Sequence, residues 1–136
     1  MLIVRPVRDK NFQKQLCSLA EIEYNAEAFA FFAANSDDLG ETFTSYIGIA
    51  LFDIDKFGVK LLSVSMMPQV DDMEAMTILA RSLMCYLYRN MSVKLLYASD
   101  DIDQKYFKAF CLARDNDNRL VVDLEDFYNA PCKYNS

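Results

Sequence analysis

The sequence predicts an α/β domain of mixed α+β type, with one mixed central sheet and helices on both faces. Three observations predict it. Residues 59–67 form an apolar run closed by Pro68, which cannot donate to a sheet ladder. An amphipathic helix over residues 72–90 follows, with Met73, Met76, Ala80, Leu83, Met84 and Leu87 at helical spacing, and residues 93–98 are a second apolar run. Two such strands joined by one helix make a parallel crossover unit. Finally, residues 44–54 and 59–67 flank the turn Asp53-Ile54-Asp55-Lys56-Phe57-Gly58, which predicts an antiparallel hairpin.

The remaining elements follow in order. Residues 2–7 read as a first strand, being too short for a signal peptide. Asp9 is placed to cap a helix with Phe12, Leu16, Leu19 and Ala20 on its apolar face, continuing towards Tyr24. Residues 28–34 combine alanines with phenylalanines and fit helix or strand; the turn-forming Asn35-Ser36-Asp37-Asp38-Leu39-Gly40 favours strand. After the crossover, Asp101 or Asp103 caps a shorter helix with Ile102, Tyr106, Ala109 and Phe110 on one face. Residues 119–127 alternate as a closing strand, and 129–136 form a loose tail.

Composition narrows the function classes. With 136 residues there is room for one domain, residues 1–136, and 53% apolar content can fill its core. No apolar run approaches a membrane span, which predicts no membrane partner. A formal charge of −6 with scattered lysines and arginines argues against nucleic acid. Histidine is absent and Cys17, Cys85, Cys111 and Cys132 form no CxxC pair, so a zinc site has little to build on. Cys17, Cys85 and Cys111 fall inside helical patterns, where a buried thiol packs as a small hydrophobe, and the compartment expected is a reducing cytoplasm.

The order of elements resembles the GNAT superfamily of acetyl-CoA-dependent N-acetyltransferases, over most of the chain from Ile3-Val4-Arg5-Pro6-Val7 to about Val122. Ile47-Gly48-Ile49-Ala50-Leu51-Phe52 is similar to the family's third strand, and Leu62-Ser63-Val64-Ser65-Met66-Met67-Pro68 to its fourth. The resemblance implies that pantetheine would run along the backbone of Val64, Ser65, Met66 and Met67, where the fourth strand splays from the fifth. It also implies a pyrophosphate loop opening the next helix, where glycines allow close backbone approach and the helix N-terminus supplies N–H donors. Here the basic position of that loop falls on Asp71 and its two small positions on Glu74 and Met76. Tyr106-Phe107-Lys108-Ala109-Phe110 is similar to the segment after the fifth strand, making Tyr106 the candidate general acid; packing on the helix face is its structural alternative.

Magnitudes predict poor acetyl-CoA binding. The helix dipole offers a phosphate about 0.3–1 kcal/mol. A carboxylate roughly 6 Å away repels it by about 0.7 kcal/mol in water and about 2.8 kcal/mol at an effective dielectric near 20.

Asp71, Asp72, Glu74, Asp100, Asp101 and Asp103 form an acidic rim with two readings. They cap the two helices that follow, or, brought together at one sheet edge, they attract a cation, a polyamine or a basic peptide. Two functions from different classes remain: a non-catalytic or cofactor-impaired module binding a small molecule or protein, and an active acyl-CoA N-acyltransferase with a non-standard loop. Acetyl-CoA is the cofactor only under the second. Neither the acceptor nor the oligomeric state is legible.

Overall fold

The computed structural model describes residues 1–56 and 58–129. Its seven strands form one sheet: β1 (Leu2–Pro6), β2 (Phe29–Ser36), β3 (Phe43–Asp55), β4 (Gly58–Met66), β5 (Leu95–Ala98), β6 (Ala113–Arg114) and β7 (Leu120–Asp123). Their spatial order is β1-β2-β3-β4-β5-β7-β6, which leaves β1 and β6 as edges. β1 to β4 are an antiparallel meander, β4 and β5 are parallel, and β7 closes antiparallel on β5. Among the described residues three α-helices accompany the sheet: α1 (Lys10–Leu19), α2 (Met73–Met91) and α3 (Leu124–Asn129).

Two apolar clusters lie on opposite faces of the sheet. Leu16, Cys17 and Ala20 of the α1 region pack with Phe32, Ala34, Ile49 and Leu51. Met76, Leu79, Ala80, Leu83 and Leu87 of α2 pack with Phe31, Ala33, Ala50, Phe52 and Leu61. Alternating residues of β2 therefore serve different layers, and its side chains from Ala30 to Ala34 are all buried. This explains the unbroken apolar run: a strand covered on both faces loses the alternation of a half-exposed one.

The parallel β4–β5 pair and the intervening helix stand as predicted, with Met76, Ala80, Leu83 and Leu87 buried and Arg89 exposed. Arg81 contrasts with Arg89 on the same helix. It is half-buried because its Nε donates to the Ala109 carbonyl (3.1 Å) and its guanidinium lies 5.1 Å from the Phe127 ring.

α1 is capped by Asp9, whose side chain accepts from the Asn11 N–H. It stops at Leu19 instead of continuing towards Tyr24, because Glu21 takes a left-handed φ of 60° and redirects the chain. Leu19 is exposed, and Gln13 is buried on the inner face, where its amide donates to the Asn25 and Ala28 carbonyls. The short helix after β5 reduces to one 3-10 turn, Gln104–Tyr106, capped by Asp103 and followed by tight turns. Cys111, expected in that helix, sits at φ 55°, while Cys17 and Cys85 lie in α1 and α2.

The expected closing strand over 119–127 splits into β7 and α3. Asp123 Oδ1 accepts from the Asp126 N–H and starts the helix, and Leu124 and Phe127 then bury at i,i+3. Alternation and helical spacing coincide on these residues, so the pattern alone did not decide. Asn129 ends α3; the rest of the expected tail, Cys132 included, lies outside the described residues. Among the described residues, no helix is long and apolar enough to cross a membrane.

Candidate functional site

The site follows from how little of β4 pairs with β5. Only Val59, Lys60 and Leu61 have register partners, in Leu96, Tyr97 and Ala98, and one further bond runs from the Ser99 N–H to the Leu61 carbonyl (3.0 Å). Beyond it β4 runs on to Met66 beside β3, while the other chain turns away at Ser99. A cleft opens between them, and backbone groups facing it need other partners.

Tyr106 provides one. The Met66 N–H donates to the Tyr106 hydroxyl oxygen at 3.0 Å, a contact spanning 40 residues of sequence. Tyr106 is only 2% exposed and shares a buried cluster with Val64, Met76 and Phe110. The candidate general acid thus reaches across the cleft onto the strand predicted to carry pantetheine. Of the other strand residues, Met67 donates its N–H to Ile47 (2.7 Å), Val64 turns its side chain into the α2 core, and the Ser65 hydroxyl bonds the Met66 carbonyl (2.9 Å).

The loop opening α2 satisfies itself. Val70 N–H closes a turn onto the Met67 carbonyl with Gln69 at φ 69°, and Asp72 N–H meets the Met66 sulfur at 3.4 Å. Asp72 Oδ1 accepts from Ala75 N–H at 3.0 Å, a helix cap. Asp71 and Glu74 are exposed at this end. Met76, at the second small position of the implied loop, is turned into the core. It is 1% exposed and packs on β3, where a Cβ built on Gly48 would lie 2.4 Å from its sulfur. Glycine at position 48 makes room for that side chain.

Across the cleft mouth lie side chains that sequence reasoning missed. Arg81 of α2 and Lys105 and Lys108 of the turn after β5 line a groove of about 380 Å³ together with Met73, Glu74 and Thr77. Lys105 Nζ sits 5.3 Å over the Tyr106 ring. The available signal was the i,i+3 spacing of the two lysines next to the candidate tyrosine.

The acidic rim divides into separate local roles. Asp72 caps α2, Asp103 accepts from Lys105 N–H (3.0 Å), and Asp100 pairs with Arg114 (3.0 Å). Asp101 is exposed, and its N–H meets the Ser99 hydroxyl. Among the described residues, no group of three or more His, Cys, Asp or Glu is arranged to hold a metal ion.

A second tyrosine lies where β4 and β5 are still paired. The Tyr97 hydroxyl donates to Asp55, and burial pushes its pKa up to about 12, with the bond to Asp55 and that carboxylate's charge adding to the shift. Burial likewise raises the Cys17 and Cys111 thiols, the latter opposed by Arg81.

No protein-family model matches the sequence, and a search of curated proteins returns no match. Solved structures do resemble it. A manganese complex of the spermidine/spermine N-acetyltransferase SpeG from Vibrio cholerae superposes with a TM-score of 0.63 at 11% identity, covering 94% of this chain and 95% of that one. A dodecameric form of the same Vibrio cholerae enzyme in an intermediate state gives 0.63 at 11% identity, with 94% and 96% covered. Mutant forms of that enzyme reach 0.65 at 10% identity, with 95% and 98% covered. At such identity the likeness speaks for the fold alone, and the chain has the GNAT fold.

Proposed function

From the GNAT fold, we propose that this chain works as a binding or interaction module whose cofactor cleft is closed by its own residues. The observation that carries this reading is the Met66 N–H bonded to the buried Tyr106 hydroxyl, in the place where a pantetheine arm would run. Exposed Asp71 and Glu74 at the start of α2 support it, because they set negative charge where a pyrophosphate would dock. The ligand class it leaves open is a small molecule or a protein, in a reducing cytoplasm that suits free Cys17, Cys85 and Cys111.

Acetyl-CoA tests it in a thermal-shift titration. A ligand at 100 times its dissociation constant adds about 2.7 kcal/mol to stability, so occupancy of the cleft would move the melting temperature visibly. No shift at roughly 1 mM is expected. A shift that survives added salt and is lost when Ser63–Met67 is altered would overturn the reading.

A second reading is an acyl-CoA-dependent N-acyltransferase with a non-standard loop. Arg81, Lys105 and Lys108 favour it, since they bring cations to the groove beside α2 that the loop itself lacks. In that chemistry an amine attacks the thioester carbonyl, the tetrahedral intermediate collapses, and the thiolate leaves with a proton. Tyr106 would supply that proton, and its movement off Met66 would free an N–H for the carbonyl oxygen. Without histidine, a carboxylate or a held water takes the amine's proton. A polyamine is the acceptor to try first: the structural neighbours are spermidine N-acetyltransferases, and this chain carries −6. Turnover abolished by Tyr106→Phe, with the fold intact, would establish this reading over the first.

A further inference from the structure

At the far end of α2 the sheet carries a cavity that neither reading uses. It measures about 170 Å³ and lies between the start of β2, the end of β3 and the last turns of α2. Four aromatic rings line it. Phe29 stacks on Phe52 (centroids 5.8 Å apart), Phe31 tilts against Phe52 (6.3 Å), and Tyr86 meets Phe31 edge-on (5.2 Å). Phe31 and Phe52 are each 3% exposed, so the floor is fixed by packing, while Phe29 and Met91 at the rim stay 48% and 39% exposed. Met73 and Met91 are eighteen residues apart on one helix, which puts this cavity roughly 27 Å from the cleft along α2.

Size selects the guest. An apolar cavity of about 150 Å³ stays dry and accepts benzene, so this one takes a single aromatic ring, and edge-to-face contacts with the lining rings favour an arene. Charge selects the rest. The cavity lining includes Arg8 and no carboxylate, on a chain whose net charge is −6. Arg8 is exposed and, among the described residues, engages in no hydrogen bond or ion pair. Lys10 Nζ lies 5.5 Å from the Phe29 ring, although the Ala28 carbonyl and Gln13 hold it. Arg8, a lining residue without a partner among the described residues, offers its guanidinium to a planar carboxylate on a short aryl stem.

We propose that this cavity binds a small aryl carboxylate of phenylacetate size, its ring among Phe29, Phe31, Phe52 and Tyr86 and its carboxylate on Arg8. The full chain titrated with phenylacetate, followed by amide NMR shifts, tests it. Saturable shifts are expected at Phe31 and Tyr86 and none at Met66 or Lys105. Arg8→Gln should weaken phenylacetate about tenfold, the equivalent of one charge-assisted pair, and leave toluene binding unchanged. Four results would overturn the proposal: no saturation at millimolar phenylacetate, equal affinity in Arg8→Gln, toluene binding as tightly as phenylacetate, or preference for benzylammonium. A wild-type dimer in sedimentation that Phe29→Ser dissolves would also overturn it, by giving the cavity to a second copy.

Discussion

The two walls of the β4–β5 cleft are built on opposite principles. On the α2 side, backbone and side chains satisfy one another within ten residues: Val70 on Met67, Asp72 on Met66, Ala75 on Asp72. On the other side, the turn after β5 reaches outward, sending Tyr106 to β4, while Lys105 and Lys108 line the groove facing α2. The first wall is a closed local motif with acidic tips. The second contributes a hydroxyl and cations to a space shared with its neighbour. The groove's cations come from α2 (Arg81) and the turn after β5 (Lys105 and Lys108), while the loop before α2 carries acids.

That contrast breaks most visibly at Tyr106. Tyr106→Ala should cost about 3–5 kcal/mol in urea denaturation, as for other buried aromatics, because it removes a packed ring and the partner of Met66 N–H. Tyr106→Phe isolates the hydrogen bond and should cost about 0.5–1.5 kcal/mol, the net worth of a part-buried bond. A loss near zero for both would mean that the ring does not span the cleft.

The α2 wall is probed from below. Gly48→Val should cost about 1–3 kcal/mol, since its Cβ would meet Met76 at 2.4 Å and the Ser65 carbonyl at 2.8 Å, and the latter is backbone. A neutral result by thermal melting would place Met76 elsewhere. The acidic tips differ by less. Asp72→Ala should lose about 1 kcal/mol as a cap, whereas Asp71→Ala should stay within about 0.5 kcal/mol. Equal losses would mean that Asp71 also holds structure.

The smallest effect is spectroscopic and concerns Tyr97, where β4 and β5 are still paired. Tyr97 holds its proton more tightly folded, near 12, than its ordinary value of 10. A raised pKa of this kind contributes stability that is complete below pH 10 and is lost as pH rises towards 12. The phenolate absorbance lost in Tyr97→Phe should titrate late, and Asp55→Asn should bring it earlier. An unchanged curve in that variant would remove Asp55 as a cause.

How much of this was legible varied along the chain. The crossover unit was readable because Met76, Ala80, Leu83 and Leu87 repeat at helical spacing between two apolar runs. The β3–β4 hairpin was readable from its polar turn. Residues 119–127 were readable only in their first half, because Leu124 fits a strand's alternation with Val122 and a helix's spacing with Phe127. At the site, Tyr106 and the acidic caps could be named, since residue type and position suffice for them. The bond to Met66 and the groove of Arg81, Lys105 and Lys108 depend on contacts across 28 to 40 residues, which periodicity does not encode.

The two outer strands of the sheet carry a consequence for assembly. β6 is two residues long, and β1 is five residues long, with Arg5 next to a terminal Pro6 that has no N–H to donate. Exposed strands are templates for pairing with another chain, and brevity, charge and proline each spoil the template. Neither margin is therefore suited to extension into a continuous intermolecular sheet. Fibrillar stacking through the native fold is disfavoured at both ends.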